Sequence, residues 1–129
     1  MQRPVWLLSM DSEQFNAPPT TTAALSSYYR HYGTHSADTR IELVHFQQAD
    51  DIEPWFEAWS VSGPALVHEA VAAGLRPVLG FSVYTWNAAE FLDLAHRLRQ
   101  LAPGLTLSAG GPHVQQAEDY VGEEALDVV

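Results

Sequence analysis

The chain has 129 residues, 47% of them hydrophobic and 17% charged, which suits one globular domain able to bury about two-thirds of its unfolded surface. With no cysteine, disulfides, thiolate zinc sites and cysteine-held iron–sulfur clusters are excluded. The six basic residues are all arginines, which excludes a Schiff-base lysine, a phosphate-loop lysine and the lysine of a phospho-receiver, and the formal charge of −10 repels nucleic acid and anionic membrane.

No apolar run approaches the roughly 20 residues needed to span a bilayer. The start, Met1-Gln2-Arg3-Pro4-Val5-Trp6, lacks the apolar core and cleavage site of a signal peptide, so a cytoplasmic location is expected. Arg3 to Met10 reads as a first buried strand, and Asp11 to Pro19 as loop around Pro18-Pro19. Thr20 to Tyr32 is a predicted helix with a threonine cap and Gly33 as its stop. Thr39 to Phe46 alternates around Ile41, Leu43 and His45, a second strand.

Asp50 to Pro54 is a polar turn, and Trp55 to Trp59 reads as a short helix or loop. Pro64 suits a helix's first turn, with Ala65 to Ala73 following helical spacing until Gly74 ends it. Pro77 to Tyr84 is strand three, apolar on both faces. Asn87 with Glu90 three positions on matches a capping box, and Phe91, Leu94, Ala95, Leu98 and Leu101 form one apolar stripe over Ala88 to Gln100. Leu105 to Ala109 is strand four, a short helix follows near Val114 to Tyr120, and Ala125 to Val129 begins a fifth strand. A chain ending inside a strand suggests an N-terminal fragment of a longer protein, with residues 1–129 forming its first domain.

Alternating strands and helices imply an α/β fold with a doubly wound parallel sheet and right-handed crossovers. Five strands in the order 2-1-3-4-5, flavodoxin-like and thus Rossmann-like in a three-layer αβα arrangement, solve this pattern. Ligands of such sheets sit outside the carboxyl ends of the strands, which directs attention to the exits of strands three and four. Each residue there has two readings. Ser82 is a small buried serine or the lining of a ligand slot. Gly110-Gly111 is a tight turn or a place where a flat ligand approaches the main chain without meeting a Cβ. Trp86 packs on a neighbouring loop or lies against a ligand's edge, and Asn87 caps a helix whose free N–H groups suit a phosphate or amide. Pro112 and His113 form the lip, where His113 is a surface histidine or a ligand.

Gly80-Phe81-Ser82-Val83-Tyr84-Thr85-Trp86-Asn87, a helix, then Ser108-Ala109-Gly110-Gly111-Pro112-His113 resembles the cobalamin-binding domain that precedes many radical S-adenosylmethionine domains. The likeness runs over roughly residues 76 to 129. It implies that the chain binds a corrinoid through Met10, Asp11, Ser82, Val83, Tyr84, Thr85, Trp86, Asn87, Gly110, Gly111, Pro112 and His113. It also implies a downstream partner domain holding S-adenosylmethionine and an iron–sulfur cluster, in a whole enzyme such as a methyltransferase. By the same resemblance a serine on strand three lines the slot for the cofactor's nucleotide tail, and Tyr84 stands where the motif has an apolar residue. The chain departs from the family at the loop after strand one. The usual Asp-x-His-x-x-Gly is absent from Ser9-Met10-Asp11-Ser12-Glu13-Gln14-Phe15-Asn16, so either cobalt has no protein histidine below it or the cofactor is not bound.

His31 and His35 are separated by Gly33, His45 lies on a strand, and His68 and His96 stand singly on helices, so no zinc site is expected. Gly-x-Ser-x-Gly and Gly-x-Gly-x-x-Gly are both missing, which disfavours hydrolysis at a nucleophile elbow and dinucleotide binding. The alternative to a corrinoid module is a cofactor-free interaction domain on the same fold. A flavin site is weaker still, since no Ser/Thr-rich phosphate loop follows strand one.

Overall fold

A computed structural model of the chain describes residues 1–11, 20–84, 86–110 and 125–128. Four parallel strands form one sheet in the order β2-β1-β3-β4, with β1 Arg3–Met10, β2 Thr39–Phe46, β3 Val78–Ser82 and β4 Thr106–Gly110. The helices that link them are α1 Thr20–Tyr32, α2 Ile52–Ala72 and α3 Ala88–Leu101. The parallel α/β class and the 2-1-3-4 order are therefore as the sequence predicts. Residues 12–19, the threonine cap, the helix near 114–120 and Val129 lie outside the described residues.

Strand alternation sorts the sheet into two faces. Trp6, Leu8, Met10, Phe46, Leu79, Phe81, Val83, Leu107 and Ala109 are buried in the main core with Trp59 and Val67 of α2 and Phe91, Leu94, Ala95 and Leu98 of α3. Aromatic rings join these layers: Trp6 meets Trp59 edge-on at 5.6 Å, and Phe91 lies 6.3 Å from Phe46 and 5.1 Å from Phe81. On the other face α1 crosses β1 and β2, where Tyr29 reaches Arg3 and Thr39. Leu101 is exposed, so the apolar stripe of α3 ends one turn earlier than its spacing predicts.

β3, β4 and α2 differ from the sequence reading by more than the end of α3, which is one residue longer. β3 is shorter than the predicted Pro77 to Tyr84, because Tyr84 N–H turns to a side chain instead of a strand. β4 is shifted one residue later than predicted. The largest difference is α2, one continuous helix through Pro64 rather than two segments. Its packing explains this: Ile52, Trp59, Gly63, Val67 and Ala70 are all buried, so a single apolar face repays the hydrogen bond lost at proline. Gly74 does end the helix, at φ 78°, with Gly74 N–H donating to Val71 O and Leu75 N–H to Ala70 O. These two bonds and the left-handed residue make a Schellman motif.

Gly63 is required by its neighbour. A Cβ there would lie 2.3 Å from two ring carbons of Trp59, one turn back and buried. Helix propensity alone favours alanine over glycine by about 1 kcal/mol. Overpacking a rigid ring costs about 1–3 kcal/mol, so Gly63→Ala is expected to destabilise. Urea unfolding with unchanged m-value checks it, and a stabilised variant would refute the steric argument.

Glu53 and Arg97 tie the start of α2 to α3 through paired hydrogen bonds, and the guanidinium lies 4.2 Å over the Phe56 ring. The hydrogen bond from Arg97 holds the Glu53 carboxyl below its ordinary value, against a desolvation that raises it, with the coulombic attraction of the same group as a smaller help. A carboxyl depressed in the folded state contributes stability above its unfolded pKa and loses it as pH falls through the folded one. The pair is solvent-exposed, so its effect is small. An NMR titration should find Glu53 below other exposed glutamates and returned to their range in Arg97→Gln.

The terminal residues lie beside β4. Ala109 N–H donates to Val128 O and Val128 N–H to Leu107 O, with one parallel bridge from Ser108 to Val128. Arg99 of α3 holds this segment, donating to Pro103 O, Leu105 O, Ala125 O and the Asp127 carboxylate, while Leu107 N–H donates to Asp127 Oδ2.

Candidate functional site at the carboxyl ends of the strands

The parallel registers place residues of all four strands in rows across the face opposite the main core. Ser9 pairs with His45, and Ser82 pairs with Gly110. One step toward the amino ends, Leu43, Leu7, Gly80 and Ser108 stand in line. On β3 and β4 this face therefore carries a block of four small residues: Gly80, Ser82, Ser108 and Gly110. Ser82 is 8% exposed and Gly110 is open to solvent. A Cβ at Gly80 would press Leu7 and Ser108 at 3.2–3.3 Å, whereas one at Gly110 would meet nothing within 4 Å among the described residues. The exit of β4 is a step down in side-chain height, backed by a closely packed second row.

The rim above β1 and β3 is built by the turn between Ser82 and α3. Asn87, completely buried, accepts from Tyr84 N–H at 2.8 Å and donates from Nδ2 to Ser82 O at 3.2 Å. Asn87 is positioned at the start of α3, but its side chain makes no cap bond, which corrects the capping-box prediction. The reason is accessibility. The first turn of α3 is largely open to water, while Ser82 O, buried, and Tyr84 N–H, half-buried, lose their ladder partners at the strand exit. Trp86 Nε1 donates to Met10 O at 2.9 Å, so its ring bridges the ends of β3 and β1. Tyr84 stacks on Trp86 at 4.5 Å with planes 14° apart. Trp86 remains 46% exposed, which leaves an aromatic plate at the rim.

The residues predicted to line a ligand thus divide. Ser82, Gly110, Tyr84, Trp86 and Asn87 gather around the exits of β3 and β4, with Met10 contributing its carbonyl. The Met10 and Val83 side chains belong to the main core, and Val83 N–H donates to Gly110 O at 2.6 Å. Asp11 stands beyond β1, its N–H donating to Phe46 O. Thr85, Gly111, Pro112 and His113 lie outside the described residues.

Sequence reasoning missed one network. Ser9 Oγ lies 2.7 Å from His45 Nδ1, and His45 Nε2 lies 3.1 Å from Asp11 Oδ1, at ion-pair distance but off the line of a hydrogen bond. A Ser–His–Asp chain is thereby assembled from β1, β2 and the first residue past β1. The signal was available only through pairing: His45 alternates onto the same face as Ser9 once the Arg3–Thr39 register is known. The serine sits within a strand, nine-tenths buried, and lacks the sharp elbow that exposes a nucleophile, so the network reads as a polar tie between β1 and β2. Among the described residues no three His, Asp or Glu side chains converge as metal ligands do. No described helix is long and apolar enough to cross a membrane.

The chain matches no family model, and no curated protein matches it.

Proposed function

We propose that this domain binds a corrinoid at the carboxyl ends of β1, β3 and β4, as the cobalamin-binding module of a radical S-adenosylmethionine enzyme. The observation that carries the reading is the block of Gly80, Ser82, Ser108 and Gly110, four small residues on one face where two strands leave the sheet. A large cofactor with a narrow tail needs such a strip, because any side chain beyond serine would hold it off the main chain. The residues present fit it: Ser82 offers a hydroxyl at the strip's end, Gly110 leaves open space, and the Tyr84–Trp86 plate supplies an apolar edge. When bound, the corrinoid supplies a methyl-carrying or radical-handling centre, and this chain's contribution is grip and orientation. A fifth strand beside β4, begun at Val128, completes a flavodoxin-like sheet in this reading. A cytoplasmic location and a radical S-adenosylmethionine partner domain, in a methyltransferase or related modifier, belong to the same proposal.

Hydroxocobalamin mixed with the folded chain and passed over a desalting column is expected to co-elute as red protein. Gly110→Trp directs an indole away from every described side chain, so the fold is expected to survive while the strip fills. Retention is expected to fall about tenfold or more, matching a loss of at least 1.4 kcal/mol of binding. Colourless wild-type protein with native circular dichroism rejects the proposal.

One observation favours a cofactor-free interaction domain instead: Trp86 already occupies the Met10 carbonyl at the exit of β1. In that case Gly110→Trp leaves corrinoid retention at the background seen for wild type.

A further inference from the structure

On the same sheet face, from the amino end as far as Leu7, which adjoins Gly80 of the small-residue strip, α1 stands off β1 and β2 over a cavity of about 290 Å³. Its walls are apolar: Val5, Leu7 and Ile41 from the sheet, Leu25 and Tyr28 from the helix. Leu25 is 58% exposed and Tyr28 68%, so the helix presents large apolar groups to water around the opening. One end is different. Arg3 donates from Nη2 to the Tyr29 hydroxyl at 3.2 Å, Tyr29 Oη lies 3.4 Å from Thr39 Oγ1, and Thr39 donates onward to His35 O at 2.9 Å.

Arg3 is half-buried and has no carboxylate partner among the described residues, in a chain with sixteen acids. A guanidinium has five donors in a fixed fork, and a single neutral hydroxyl uses one of them. The natural complement of the remaining fork is a planar two-oxygen anion, which it meets bidentately. The volume lies at the small end of ligand sites, and the polar groups are confined to one end.

We infer that this cavity is a binding site for a small apolar monocarboxylate, its hydrocarbon or aryl part along Val5, Leu7, Leu25 and Ile41 and its carboxylate on Arg3. Tyr29 holds the guanidinium in place through its hydroxyl, which Thr39 fixes in turn. This site does not depend on corrinoid binding, since it uses none of the residues at the strand exits.

Titration calorimetry of the full chain with sodium decanoate, below its micelle concentration, tests the inference. One saturable site is expected, with decan-1-ol binding about tenfold or more weakly because it cannot form the charge-assisted pair. Arg3→Met should weaken decanoate by a similar factor and erase the preference over the alcohol. Leu25→Glu, at a solvent-exposed position, removes part of the apolar wall and should weaken decanoate and decanol alike, in contrast to Arg3→Met. Far-UV circular dichroism confirms that each variant is folded. Absence of saturable decanoate binding by the wild-type chain overturns the inference, as does equal affinity for acid and alcohol. So does unchanged decanoate affinity in both Arg3→Met and Leu25→Glu. Equal affinities would mean an apolar slot in which Arg3 reads no carboxylate, and no saturable binding would mean that the opening takes no small monocarboxylate.

Discussion

Asn87→Leu is expected to lower the unfolding free energy by about 3 kcal/mol, a drop in Tm of roughly 10 °C for a chain of this size. Leucine matches asparagine in size, so no cavity is made and the loss isolates the polar contacts. Two main-chain groups lose their partners at once, Ser82 O in a buried place and Tyr84 N–H in a half-buried one. Leaving a buried donor or acceptor unpaired costs about 1–3 kcal/mol apiece, more than leucine's extra apolar burial returns. The same change frees the turn that carries Tyr84 and Trp86, so the Trp86 bond to Met10 O should weaken as well. Two readouts separate these consequences. Urea unfolding reports the stability, and indole fluorescence reports the ring at the rim. A loss under about 1 kcal/mol would mean that water reaches both groups, and that Asn87 does not organise the strand exit.

Phe91→Ala should cost about 3–5 kcal/mol. Phe91 is 1% exposed and touches two strands through its ring, Phe46 on edge strand β2 and Phe81 on central strand β3. Deleting it removes transfer energy and leaves a void between elements whose backbones are held by the sheet, so collapse is limited. Such a loss is a large share of the roughly 5–15 kcal/mol that domains have in total. Phe91→Leu should recover most of it, because volume is largely conserved. Equilibrium denaturation of the three proteins checks the order wild type, leucine, alanine. A Phe91→Ala variant within about 1 kcal/mol of wild type would show that α3 and β2 repack freely, contrary to the ring geometry.

Both predictions concern the turn and helix that follow β3, and they show how unevenly the sequence disclosed the structure. The bounds of β1 and β2 were legible, since apolar runs and alternation mark a strand without reference to anything distant, but the alternation of Ile41, Leu43 and His45 lies on the face of α1, and Phe46 on the other face joins the main core. α3 was legible for the same reason up to Leu98, and Gly74 was legible as a helix stop because only glycine takes positive φ without strain. α2 was not. Pro64 marks a helix start in most local contexts, and only the buried line through Trp59, Gly63 and Val67 kept the helix unbroken.

The site divides in the same way. The sequence alone determined the small residues at the exits of β3 and β4 and the aromatic pair between them, because composition at a strand end is a local property. Tertiary structure decided what Asn87 does: the cap pattern with Glu90 is local, but the buried strand exit made a stronger claim on its amide. It also decided that Ser9, His45 and Asp11 meet, since residues 36 apart become neighbours only through parallel register. The cavity beside Arg3 is likewise a product of packing. Nothing in the spacing of Arg3, Leu25, Tyr29 and Ile41 marks them as one surface until α1 is laid across β1 and β2, and the gap between them is a matter of helix height above the sheet.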